Sequence, residues 1–171
     1  ADLQNATVEI VGEAMLSPYA YDHLDDAQAF HILDAMLGSF IEAGNFDTLA
    51  RYTGFLQYMR DPRSNPNFPF GAAVARVFQH SLTSERLDAL LAGLEEDIQP
   101  ALQPLSQLLH RLGSHLIEHL VSLLRAEQRE LRRTGLRALV LELVKDKPDI
   151  IVELLDSASR EEIPELFHML Y

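Results

Sequence analysis

The chain has 171 residues, of which 47% are hydrophobic, and carries a formal net charge of −12. That is enough apolar material for a core of its own, so intrinsic disorder is excluded. Its longest apolar runs span only a few residues, Leu139 to Leu141 among them, so a soluble chain with neither a transmembrane helix nor a signal-peptide core is expected.

Cysteine is absent, which removes disulfides, thiolate nucleophiles and Cys-based zinc sites and fits a reducing, cytoplasmic setting. The charge is unevenly placed. Residues 1–50 hold nine acids and no Lys or Arg, whereas five arginines fall between Arg125 and Arg137 against only Glu127 and Glu130. An acidic first third of this kind repels nucleic acid and anionic membrane. The chain starts at Ala1 without a Met and stops at Tyr171 inside an amphipathic pattern, as expected of a piece of a longer polypeptide.

Helical periodicity dominates throughout, and no stretch alternates apolar and polar residues as a half-buried strand requires, so the expected class is all-α. Val8, Val11 and Met15 sketch a first helix that should end near Ser17-Pro18, because proline disfavours helix at the residue before it. Asp25 or Asp26 can cap a second, with Phe30, Leu33, Leu37, Phe40 and Ile41 at three- and four-residue spacing and a stop at Gly44-Asn45. A third is expected from Asp47 to Met59. The segment 61–70, DPRSNPNFPF, carries three prolines and cannot be regular helix. It divides the chain into acidic helices at 1–60 and a helical series at 71–171 continuous with them. Its Phe68 and Phe70 are expected to tuck between helices rather than to face a partner.

Beyond the loop, helices are predicted over 71–80, 84–95, 99–112, 114–125, 128–145, 148–157 and 160–170. Ser81, Thr83 or Ser84 can cap the second of these, Pro100 and Pro148 suit first turns, and Gly113 suits a C-terminal cap. Pro164 falls early enough in its helix to be harmless, whereas Pro104 lies deeper and should kink or delay its helix.

Residues 120–139 align without a gap on 151–170, with identities at Val121/Val152, Leu123/Leu154, Leu124/Leu155, Arg129/Arg160, Glu130/Glu161 and Leu139/Leu170. Both copies break at the same small, polar point, so each reads as helix, short turn, helix. A hairpin of this length cannot bury its apolar faces alone and must stack on neighbours, which is the logic of a repeat protein.

Within the first copy, Leu131, Arg132, Gly135, Leu136, Ala138 and Leu139 have the spacing of the second helix of a HEAT repeat, and IEHLVSLL before them resembles its first. ALQPLSQLLHRLG upstream is similar to another second helix. The resemblance covers residues 84–171, with Glu162 and Ile163 departing from the pattern in the last copy. It implies an α-solenoid of stacked antiparallel helix hairpins and, for such families, scaffolding or partner binding. The alternative the same periodicity allows is a compact helical bundle.

Three constellations could carry chemistry. His110, His115 and His119 lie close in sequence, and the last two, at i and i+4, could chelate zinc on a helix. No HExxH spacing accompanies them, and histidines on the outer face of a helix whose Leu116, Leu120 and Leu123 point inward account for them, so no metal and no cofactor is expected. His31 with Asp34, and His23 with Asp25, read as surface polar residues, since no nucleophile or glycine-rich loop joins them. Arg129, Arg133 and Arg137 fall within one helical sector, away from Leu131, Gly135 and Leu139, and form the candidate partner-binding strip. Arg132 lies nearer the apolar side, and its match to the HEAT pattern implies a structural role. The reading that follows is a non-enzymatic protein–protein interaction or scaffold segment, binding a protein partner or another domain of its own polypeptide, with no nucleic acid and no membrane. The alternatives are a metal-dependent helical enzyme using the three histidines, and a nucleic-acid-binding helical repeat.

Overall fold

Pro18 has no N–H to donate, and the chain ends one helix and begins another there. In the computed structural model, which describes residues 2–15, 17–94 and 97–145, every regular element is helical and no strand occurs among the described residues. Helix α1 runs Asp2–Met15 and α2 Pro18–His23. The Ser17 hydroxyl caps α2 by accepting the Ala20 N–H at 3.3 Å, and Pro18 takes the first helical position, where a missing donor costs nothing.

Helix α3 (Asp26–Glu42) opens with a capping box. Asp25 Oδ1 accepts the Gln28 N–H at 2.8 Å, and Gln28 Oε1 accepts the Asp25 N–H at 3.0 Å. Past its end, Gly44 adopts φ 61°, the left-handed conformation that glycine tolerates without a Cβ clash. Asn45 does not share that cap; its side chain accepts the Thr48 N–H at 3.1 Å and starts α4 (Phe46–Arg60). Helices α5 (Gly71–His80) and α6 (Ser84–Ala92) follow, the latter capped by Thr83, which accepts the Arg86 N–H at 3.3 Å.

Two compact units emerge: Ala1–Gly93 with Arg111–Gly113, and Leu94–His110 with Ser114–Tyr171. In the first, α3 is the central element, packed against α4, α5 and α6, while α1 packs on α4. Leu33, Leu37, Leu56 and Met59 are fully buried there. Tyr52, 1% exposed, donates its hydroxyl to the Leu33 carbonyl at 2.7 Å and meets the Phe40 ring edge-on at 5.4 Å, which fixes α4 to α3 by both packing and direction. Burial first, and then the nearby Asp34 charge, push the Tyr52 hydroxyl well above the ordinary phenol range, so it stays a donor. The segment 61–70 lies inside this unit. Asp61 organises its turn by accepting from the Ser64 hydroxyl at 2.7 Å and the Arg63 N–H at 3.1 Å, Phe70 is buried, and Phe68 packs edge-on against it at 5.7 Å.

In the second unit a 3₁₀ turn at Gln99–Ala101 precedes α7 (Leu102–Leu112), whose last two residues fall in the first unit. Pro104 thereby becomes the third residue of α7, where a helix N–H has no intrahelical acceptor in any case. The delay that Pro104 predicts is this 3₁₀ turn. A second 3₁₀ turn at Ser114–Leu116 leads into α8 (Ile117–Ala126), and Glu127–Arg129 connects α8 to α9 (Glu130–Val144). Helices α8 and α9 pack on each other, so the described part of this segment reads helix, turn, helix. The second copy at 151–170, the helices predicted at 148–157 and 160–170, and the roles assigned to Pro148 and Pro164 lie outside the described residues.

Candidate functional site

The turn between α8 and α9 is built around one carboxylate. Glu127 leaves helical geometry at φ −77° and ψ 124°, and its N–H still donates to the Leu123 carbonyl at 3.0 Å, closing α8. Its side chain then accepts from Arg129 three times, from the N–H at 3.0 Å and from Nε and Nη2 at 2.9 Å each. Arg132 Nε reaches the same carboxylate at 3.1 Å. The Arg129 side chain, its N–H and the charges of Arg129 and Arg132 hold the Glu127 carboxyl down to about 2, against a smaller opposing effect of desolvation. A fork of this kind on a planar guanidinium is both directional and charge-assisted.

This geometry alters the arginine strip expected from the sequence. Arg129 is the N-cap residue of α9, with φ −79° and ψ 116°, and therefore precedes the helix instead of sharing a face with Arg133 and Arg137. The helix starts two residues later than predicted, and the Glu127 fork is the reason. Arg133 and Arg137 do lie on α9, but both are half-buried and the Nε of each is shielded from solvent, so they flank the packed face instead of standing clear of it. Leu131, expected to point inward, is 64% exposed. The inward face is instead formed by Gly135, Leu136, Leu139, Val140, Leu143 and Val144. Arg132 is held with only 11% of its side chain exposed, in the structural position its spacing predicts.

Gly135 sits where α9 meets the chain at Ile98. A Cβ at this position would lie 2.7 Å from the Ile98 Cβ, a distance real Cβ contacts do not reach, so the absence of a side chain permits the approach. Outward from this anchor the turn presents Arg125, Ala126, Gln128, Arg129, Glu130 and Leu131 as exposed residues.

The histidines are dispersed differently from the sequence expectation. His115 lies in the 3₁₀ turn before α8 and His119 within α8, so they do not share an α-helical turn. His110 and His115 are exposed and His119 is half-buried, while Leu116 and Leu120 face the interior and Leu123 is half-buried. Among the described residues no group of three or more His, Cys, Asp or Glu is arranged to hold a metal ion.

Asp34 has a role that its pairing with His31 in sequence does not reveal. Arg86 from α6 donates Nη1 to Asp34 Oδ1 at 2.6 Å and Nη2 to Oδ2 at 3.1 Å, and the same Nη1 also reaches the Ser81 carbonyl at 2.6 Å. Partial burial works against the Asp34 charge, but the Arg86 guanidinium, helped by His31, outweighs it and holds the carboxyl below its ordinary value. This is a bidentate tie between α3 and α6. The partners are 52 residues apart, and no local pattern could have announced it. A second long-range tie, without a carboxylate, has Arg111 Nη1 donating to Thr53 Oγ1 at 3.0 Å and to the Ala50 carbonyl at 3.3 Å.

No family model matches the chain, and no curated protein or solved structure matches it either. Among the described residues no helix is long and apolar enough to cross a membrane.

Proposed function

We propose that this chain is a non-enzymatic protein-binding segment, an α-solenoid of HEAT-like hairpins that receives an acidic stretch of a protein partner or of its own parent polypeptide at the α8–α9 turn. The observation that carries this reading is the turn itself, which presents Arg125 and the 64% exposed Leu131 to solvent on either side of the Glu127–Arg129 fork. A large apolar side chain set near an exposed guanidinium is the composition of a docking surface, in which the charge steers encounter and the apolar residue supplies contact area. The packing of α8 on α9 and the close approach at Gly135 support the hairpin unit that a solenoid would stack.

The test is titration of the purified chain with a fluorescent oligo-glutamate peptide bearing interspersed leucines, and in parallel with a DNA duplex of similar charge. Binding of the peptide that weakens with added salt, falls severalfold in Leu131→Ser and Arg125→Glu, and exceeds binding of the duplex supports the proposal. Peptide binding indifferent to both substitutions, or stronger binding to the duplex, would overturn it. Leu131 and Arg125 are suitable probes because both are exposed, so their replacement should leave the melting temperature nearly unchanged.

A further inference from the structure

We draw no further inference here: the strongest candidate, the exposed Leu131 in the first turn of α9, belongs to the surface already proposed, and nothing in the structure shows what else would cover it.

Discussion

At the scale of single residues, the two strongest constraints come from groups whose partners are distant in sequence. Asp34 and Arg86 each keep a little over a quarter of their side-chain surface in water, so the pair is neither a solvated surface bridge nor a fully desolvated one. Arg86→Ala leaves a half-buried carboxylate without its bidentate donor, and a loss of about 1–3 kcal/mol in urea unfolding is expected. The pH dependence has a definite sign. Because the folded state lowers the Asp34 pKa, its contribution is complete above the unfolded value of about 3.9 and disappears as pH falls through the lower folded value. The stability difference between the wild type and Asp34→Asn should therefore shrink below about pH 4, and a difference that grows there would show that the carboxyl is not stabilised as an anion. Gly135 makes a second residue-scale test. Gly135→Ala places a methyl 2.7 Å from Ile98 Cβ and should cost about 1–3 kcal/mol, whereas the same change in an Ile98→Gly background, which removes that Cβ, should cost clearly less. Equal costs in the two backgrounds would mean that the close approach is not what the glycine serves.

At the scale of elements, helix boundaries were legible wherever a local signal sets them. Ser17-Pro18 acts at the boundary it defines, and where the sequence leaves a choice, Asp25 or Asp26, Gly44-Asn45, and Ser81, Thr83 or Ser84, the structure uses Asp25, Gly44 and Thr83. The start of α9 was not legible in the same way. Glu127 competes for the Arg129 backbone through a side-chain fork, and helical periodicity alone runs straight through Gln128 and Arg129. The same boundary separates Leu131 from the inward face, since a helix starting at Glu130 leaves Leu131 in its first turn, beyond the reach of the core that holds Leu139 and Leu143. The fork has its own pH signature. With the Glu127 carboxyl held down to about 2, its contribution to the α8–α9 turn is complete above the ordinary glutamate range and fades only as pH drops toward that value. Amide hydrogen exchange at the start of α9 should thus be unchanged from neutral pH to about pH 5 after correction for intrinsic rates, and should accelerate in Glu127→Gln. Unaltered protection in that variant would remove the carboxylate from the account of this turn.

At the scale of the whole molecule, the all-α class follows from periodicity that no local exception disturbs, whereas the way charge is shared between structural and exposed arginines follows from the fold alone. Five arginines look alike in the segment 125–137, but Arg129 and Arg132 are bound into the turn by Glu127, Arg133 and Arg137 lie half-buried beside the packed face, and Arg125 is exposed. A simultaneous reversal of Arg129, Arg133 and Arg137 to Glu therefore tests two things at once. It should weaken capture of an acidic partner, and it should also lower the melting temperature, because negative charge would then adjoin the Glu127 carboxylate and the half-buried flank of α9. Arg125→Glu combined with Leu131→Ser separates the two effects, since both side chains are exposed. Loss of partner binding at constant melting temperature in that double variant is the expected outcome, and its salt dependence should flatten as one steering charge is reversed. Should the double variant bind as the wild type does while the triple reversal fails only in proportion to its loss of fold, the arginines of this segment would be structural, and the partner surface would have to be sought on another face.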